Sequence, residues 1–152
     1  MKILEFGVIG KRKIILIHGF QCPWQVWSKY IEYYKDKFHI IVPIMSGHNP
    51  AVTEDFISFS SDAKEIEDYI LFHYGKDIYA VYGMSMGGVL VATLWQNNRL
   101  SFDKVIFDGA PLVSYSRFMK SFMKRFYVDI THKSQQRDMK TVEQATKVKV
   151  RT

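Results

Sequence analysis

A glycine-flanked serine between a strand and a helix is the feature that most constrains this chain. Gly83-Met84-Ser85-Met86-Gly87 has the pattern G-x-S-x-G, directly after the apolar run of residues 78–82 and directly before the apolar residues 89–95. A strand that turns sharply into a helix brings the two backbones together, so the neighbours of the serine must be small. The glycines of the motif, with Gly88 after them, meet that requirement. The motif therefore predicts a tight turn that holds the Ser85 hydroxyl above the end of a sheet.

Alternating strand and helix patterns surround this turn. The continuous apolar run at residues 14–17 is typical of a strand buried on both faces of a parallel sheet, and the apolar-rich runs at residues 38–44 and 105–107 predict further strands. Helical spacing of apolar residues follows the first of these runs, and Asp62 with Glu65 resembles a capping box at the start of a second helix. These patterns predict an α/β fold with a mostly parallel, doubly wound sheet.

The composition is that of one ordinary domain. The chain has 152 residues, 47% of them hydrophobic, which is enough for one core. Its first residues lack a long apolar run, and no stretch reaches the roughly 18 apolar residues of a membrane span. Cys22 is the only cysteine, so no internal disulfide can form, which fits a reducing compartment. We therefore expect a cytoplasmic location.

The net charge of +6 comes entirely from the last part of the chain. Residues 1–112 hold 11 basic and 12 acidic side chains, whereas residues 113–152 hold 10 basic and 3 acidic ones. A basic segment can meet an anionic membrane surface, an acidic partner or nucleic acid. No recognition motif for nucleic acid accompanies it, so we expect no nucleic-acid partner. Aromatic and cationic residues between 115 and 126 leave a membrane-surface role as an alternative.

The residues around the serine suit acyl transfer. The positive end of the helix that follows Ser85 favours an oxyanion beside the hydroxyl. His18-Gly19-Phe20, after the strand at residues 14–17, provides a second loop for that oxyanion. An oxyanion hole takes one backbone N–H from this loop and one from the residue after the nucleophile, which predicts Phe20 and Met86 as the donors. The alternatives are a purely structural turn, or a phosphate-binding turn in which Ser85 occupies a glycine position.

With these motifs and the segment Asp108-Gly109-Ala110-Pro111 after the next strand, the chain resembles the α/β-hydrolase family. The resemblance implies a hydrolase core at residues 1–112, with Ser85 in the nucleophile elbow, and a basic, helical, cap-like segment at residues 113–152. Aromatic side chains of the cap-like segment would then face an apolar acyl or alcohol group of the substrate. No metal or organic cofactor is implied.

The acid and the base that would activate the serine are the weakest part of the resemblance. In the family the acid and then the histidine follow the serine along the chain, and the serine needs the histidine to take its proton. Only His132 lies downstream of Ser85, inside the cap-like segment and not after a final strand. Asp108 is the candidate acid, with loop hydrogen bonding as its alternative role. We therefore expect an unfinished sheet, with the strands that carry the histidine missing after residue 152.

An unfinished sheet leaves an edge and part of a core uncovered. A partner chain, a swapped segment or a rearranged tail can cover such an edge, so we expect self-association more readily than a lone monomer.

The sequence thus predicts a serine hydrolase of the esterase or lipase type that acts on a small apolar ester, truncated so that the catalytic histidine is missing. The alternative is a non-catalytic hydrolase-like domain that binds a small apolar ligand or a protein partner in the same pocket. Of the upstream histidines, His18 begins the oxyanion loop and His48 lies at the pocket rim, while His39 and His73 occupy ordinary strand and helix positions. No histidine spacing indicates a metal site.

Overall fold

The computed structural model describes residues 1–49, 51, 55–113 and 116–135. The chain divides into two compact units, Met1–Leu112 and Val113–Thr152. Of the second unit, residues 136–152 lie outside the described part of the chain.

The first unit is built on a five-stranded sheet. Its strands are β1 (Lys2–Gly7), β2 (Lys13–Ile17), β3 (His39–Ile44), β4 (Asp77–Met84) and β5 (Ser101–Asp108). They lie in the order β1-β3-β2-β4-β5, and only β1 runs antiparallel to its neighbour. The helices are α1 (Ser28–Tyr34), which a 3₁₀ turn at Trp24–Trp27 precedes, α2 (Phe59–Tyr74) and α3 (Met86–Asn97).

Helices cover both faces of the sheet, which confirms the predicted doubly wound arrangement. The larger core lies between the sheet and helices α2 and α3, and Ile17, Ile41, Ile66 and Leu94 at its centre are fully buried. The smaller core on the opposite face packs Leu16 and neighbouring strand residues against α1 and the 3₁₀ turn. Successive residues of β2 point alternately into the two cores, which explains why the run at residues 14–17 is continuously apolar.

Two local features differ from the sequence-based expectation. The sequence patterns do not predict strand β1, because it is an edge strand whose side chains are half-buried or exposed and it therefore lacks a long apolar run. The prediction of a capping box at Asp62 and Glu65 is wrong. Helix α2 begins at Phe59, and the hydroxyl of Ser58 accepts a hydrogen bond from the Ser61 N–H at 3.0 Å. Asp62 lies inside the helix and is buried, so its carboxylate serves another purpose.

Part of the α1 face is left as a groove. Helix α1 packs over β2 and β3, whereas β4 and β5 beyond it border an apolar cavity of about 370 Å³. Aromatic side chains dominate its wall, together with Lys104 at the end. The Trp27 indole N–H is buried there and has no hydrogen-bond partner in the described part of the chain. Ile106 on β5 remains 42% exposed at the rim.

The second unit contains helix α4 (Arg117–Gln135). The helical pattern predicted for the cap-like segment is thus present from Arg117, and Tyr115 at its predicted start lies outside the described residues. The helix is amphipathic, with Phe118, Phe122 and Phe126 exposed. In the described ranges, no helix is both long enough and apolar enough to cross a membrane.

Candidate active site

Ser85 occupies a strained turn between β4 and α3. Its backbone has φ 51° and ψ −117°, a region that residues other than glycine rarely adopt. The residue stands at the N-cap position of α3, yet its hydroxyl makes no capping hydrogen bond, and the side chain is exposed. The strained backbone of Ser85 therefore holds a hydroxyl that is exposed and that does not cap the helix.

The glycines of the motif are required by close contacts between backbones. A Cβ at Gly83 would lie 2.5 Å from the Gly87 carbonyl oxygen, and a Cβ at Gly87 would lie 2.5 Å from the carbonyl oxygens of Ile17 and His18. These distances are shorter than any real carbon–oxygen contact, and the obstructing atoms belong to backbone. Helix α3 can approach the strands this closely only because these positions lack side chains.

Gly87→Ala is expected to lower the free energy of unfolding by about 2 kcal/mol, because backbone atoms cannot move aside as a side chain could. The measurement is urea unfolding followed by circular dichroism. Gly10→Ala is the control for an added methyl group without a steric clash, since nothing lies within 4 Å of the added carbon. Its own loss of about 1 kcal/mol comes from the φ of 93° at Gly10, a strain that Gly87, whose φ is not positive, does not have. Equal losses in the two variants would contradict the steric explanation.

The loop after β2 lies directly beside the elbow. A Cβ added to Gly19 would come within 3.4 Å of the Ser85 Cβ. His18 before it is fully buried, and its Nε2 accepts a hydrogen bond from the Met45 N–H at 3.1 Å. Its Nδ1 must then carry the proton and donate to the Gly19 carbonyl at 2.9 Å. Burial, with a smaller contribution from His48, lowers the pKa of His18 and keeps it neutral in this role.

The same histidine fixes the direction of the predicted oxyanion donor. The Gly19 carbonyl and the Phe20 N–H belong to one planar peptide group and point in opposite directions. Hydrogen bonds to that carbonyl from His18 Nδ1 at 2.9 Å and from the Cys22 N–H at 3.2 Å therefore also set the direction of the Phe20 N–H. The second predicted donor, the N–H of Met86, lies in the first turn of α3, where the end of the helix favours negative charge.

Asp108 lies at the end of β5, beside the serine. Its backbone carbonyl accepts a hydrogen bond from the Ser85 N–H at 2.7 Å, so β5 helps to hold the elbow. Its exposed carboxylate accepts a hydrogen bond from the Tyr82 hydroxyl at 2.5 Å. Burial and this hydrogen bond raise the pKa of Tyr82 to about 12. The structure thus places Asp108 next to Ser85, the predicted nucleophile, while the Asp108 carboxylate is hydrogen-bonded to a tyrosine.

The described histidines of the first unit all have other partners. Both ring nitrogens of His18 and of His48 are hydrogen-bonded to backbone groups. His39 is buried and bonded to Glu5, and His73 lies on the exposed face of α2 against Tyr69. His132, the downstream candidate, is an exposed residue of α4 in the second unit.

Comparison with known proteins identifies the fold. A family model described as the alpha/beta hydrolase fold matches residues 13–129. The chain belongs to the α/β-hydrolase family. Among the curated proteins, no match was found.

Solved structures with this fold include several hydrolases. A protein of the α/β-hydrolase family from Desulfitobacterium hafniense superposes with a TM-score of 0.76 at 20% identity, over 85% of this chain and 53% of that chain. A carboxylesterase of Nitrososphaera gargenis gives 0.72 at 14% identity, over 99% of this chain and 55% of that chain. A thermophilic esterase from Thermogutta terrifontis gives 0.69 at 20% identity, over 82% and 45%. This α/β-hydrolase chain therefore spans about half the length of the structures it matches.

The sequence patterns do not reveal the contacts that two residues make in support of the candidate site. His48 was assigned only to the pocket rim, and Asp62 was assigned to a helix cap. In the structure the Asp62 carboxylate accepts a hydrogen bond from the Ser46 N–H at 3.1 Å, and His48 Nε2 accepts one from the Gln21 N–H, in the predicted oxyanion loop. A polar residue one turn inside an apolar helix stripe was the available signal for Asp62. The described ranges contain no group of three or more His, Cys, Asp or Glu side chains placed to hold a metal ion.

Proposed function

We propose that this α/β-hydrolase is a serine hydrolase of the esterase or lipase type, with Ser85 as its nucleophile. The observation that carries the proposal is an exposed serine hydroxyl held at φ 51° by the elbow and unused by the helix that it begins. Backbone strain of this kind is common at active sites, where it fixes the position of a reactive side chain. The esterases and carboxylesterase among the similar structures support the same reaction class.

The chemistry follows from the groups around the elbow. The Ser85 oxygen attacks the carbonyl carbon of an ester while a base takes the hydroxyl proton. The N–H groups of Phe20 and Met86 would stabilise the negative oxygen of the tetrahedral intermediate. The proton then passes to the departing alcohol, and water hydrolyses the acyl-enzyme in a second cycle of the same steps. Phe20 and Met86 are half-buried apolar side chains, which favours a small apolar acyl group.

We further propose that the base is a histidine supplied from outside the first unit. His18, His39 and His48 use their rings in other hydrogen bonds, and His73 lies on α2. His132 is the candidate within this sequence, and polypeptide beyond this sequence is the other source, because the similar structures are about twice as long. Asp108 is the candidate acid, on the ground of its position beside Ser85.

Labelling with a fluorophosphonate tests the proposal. An activated serine reacts with this class of reagent far faster than an ordinary surface serine does. We expect one adduct per folded chain by intact mass, located on Ser85 by peptide mapping. A folded protein that gains no adduct would reject the enzymatic function for this chain and favour the alternative, a hydrolase-like domain that binds a small apolar ligand or a protein partner. The engagement of four histidines elsewhere is the observation that favours that alternative.

We also propose that the chain self-associates through the α1 face of its sheet. The edge strand β5 is exposed along most of its length, and the apolar groove opens beside it. An exposed edge and an uncovered apolar surface each favour association.

We expect analytical ultracentrifugation to show a dimer that Ile106→Glu dissociates, because a charge at the rim of the groove opposes apolar burial. Phe72→Glu is the control, because Phe72 is 84% exposed on α2, over the other face of the sheet. A monomeric wild-type protein would contradict this proposal.

A further inference from the structure

The oxyanion loop contains a turn that its own sequence does not favour. Residues 19–22 form a β-turn, closed by the hydrogen bond from the Cys22 N–H to the Gly19 carbonyl at 3.2 Å. The third residue of the turn, Gln21, has φ 54°. A turn with positive φ at this position suits glycine, and another residue there costs about 1 kcal/mol or more. Some other part of the molecule must therefore stabilise the conformation.

His48 makes that stabilising contact. The Gln21 N–H donates to His48 Nε2 at 3.3 Å, and His48 Nδ1 lies 3.2 Å from the Ser46 carbonyl. An N–H can donate to Nε2 only when that nitrogen has a lone pair, so the proton of the neutral ring is on Nδ1. The Phe20 ring also packs edge-on against His48, with 6.0 Å between centroids.

His48 is itself held by a second, rigid turn at the end of β3. The His48 N–H donates to the Met45 carbonyl at 3.0 Å, and Gly47 supplies the positive φ of 77° that this turn needs. Two buried side chains anchor the same turn, because the Met45 N–H donates to His18 Nε2 and the Ser46 N–H donates to the Asp62 carboxylate. The acceptor that His48 presents to Gln21 is therefore fixed in space.

We propose that His48 is a positioning residue of the oxyanion hole, an inference that rests on the proposed function of Ser85. His18 holds the Gly19–Phe20 peptide through its carbonyl, and His48 holds the next peptide through its N–H. If the Phe20–Gln21 peptide rotated to the alternative turn, the Phe20 carbonyl would replace the Gln21 N–H near Nε2, and two acceptors would meet. The ring thus selects one orientation of the Phe20–Gln21 peptide. With His18 holding the peptide before Phe20 and His48 holding the peptide after it, the Phe20 backbone, including its N–H, is fixed from both sides.

Two isosteric variants separate the acceptor at Nε2 from the donor at Nδ1. In His48→Gln the amide oxygen reaches the place of Nε2 and can still accept from Gln21. In His48→Asn the shorter amide reaches only the place of Nδ1, so the acceptor is lost. His73→Ala is the control, since His73 is exposed on α2.

The first measurement is hydrogen exchange of the Gln21 amide, resolved by NMR. We expect exchange on the order of tenfold faster in His48→Asn, with His48→Gln and His73→Ala close to wild type. The second measurement is the rate of fluorophosphonate labelling at Ser85. We expect it to fall on the order of tenfold or more in His48→Asn and to stay within about threefold in His48→Gln.

A double variant tests whether the effect passes through the turn. Gln21→Gly accepts positive φ without help, so adding His48→Asn to it is expected to slow labelling by less than about threefold. Equal unfolding midpoints in urea would show that the variants differ locally and not in global stability.

Each result decides the inference or the function on which it rests. Unchanged Gln21 exchange in His48→Asn overturns the positioning role, as does equal slowing of labelling in the Asn and Gln variants. Faster exchange with labelling at the wild-type rate also overturns it. A wild-type protein that never labels rejects the proposed function instead, and the exchange measurement then still decides whether His48 holds the turn.

Discussion

Replacing Ser85 by alanine is expected to abolish fluorophosphonate labelling and to lower ester hydrolysis by about a thousandfold or more, because no other group at the elbow can form the acyl-enzyme. The exposed hydroxyl of Ser85 is unused in the fold, so the variant should unfold at the same urea concentration as wild type within error. The measurements are intact mass after labelling and the release of p-nitrophenol from short acyl esters.

Ser28→Ala provides the matched control, since Ser28 is another exposed serine of the first unit, at the start of α1. Its labelling should equal that of wild type. Labelling that persists in Ser85→Ala would show that the reagent modifies another residue and would remove the proposed nucleophile. His132→Ala in the same series identifies the base: lost labelling assigns it to His132, and unchanged labelling assigns it to a group elsewhere.

Replacing Glu5 by alanine is expected to lower the free energy of unfolding by about 3 kcal/mol. The Glu5 carboxylate accepts hydrogen bonds from the hydroxyls of Tyr69 and Tyr74 and from His39 Nε2, at 2.5 to 2.9 Å. His39 is 1% exposed, so loss of the carboxylate leaves a buried N–H without a partner. Urea unfolding at neutral pH measures the change.

Glu32→Ala is the control for the loss of a carboxylate as such. Glu32 pairs with Lys35 at the surface and is 74% exposed, so its removal should change the unfolding free energy by less than about 0.5 kcal/mol. A loss in Glu5→Ala no larger than in this control would contradict the role given to the cluster.

The Glu5 cluster also predicts a pH dependence. Burial alone would raise the pKa of the Glu5 carboxyl, but hydrogen bonds from Tyr69, Tyr74 and His39 outweigh it and hold the pKa below its ordinary value of 4.5. A carboxyl with a lower pKa in the folded state stabilises the fold fully above its unfolded pKa, and that contribution is lost as the pH falls through the folded value. The difference in stability between wild type and Glu5→Ala should therefore be constant near neutral pH and shrink below about pH 4.5. A difference that grows on acidification would refute this assignment.

Sequence patterns predicted the parts of the molecule that rest on local rules. The continuous apolar run at residues 14–17 predicted a central parallel strand, because strands buried on both faces carry mainly apolar residues. The glycines around Ser85 predicted the elbow, because a Cβ at Gly83 or Gly87 would lie 2.5 Å from backbone oxygens and only glycine lacks that atom.

The parts that sequence reasoning missed depend on contacts between distant residues. Strand β1 is stabilised by pairing with β3 along its whole length, not by its own composition. His48 bonds a residue 27 positions earlier, and Asp62 bonds one 16 positions earlier, so no local spacing reveals either contact. Asp108 was predicted beside the nucleophile from strand order alone, whereas its bond to Tyr82 required the strand register.

The hydrogen bond between the Ser85 N–H and the Asp108 carbonyl makes the conformation of the elbow depend on a later part of the chain. The elbow is shaped by β4, by α3 and by the end of β5, while its glycines press against the end of β2. These segments are distant along the chain, and contacts of long sequence separation form slowly because a long loop must close first. A growing polypeptide therefore cannot present the serine in this conformation before residue 108 has left the ribosome. Reactivity at Ser85 would then indicate that β5 has joined the sheet. In partly folded chains the Ser85 hydroxyl would be as unreactive as that of an ordinary serine.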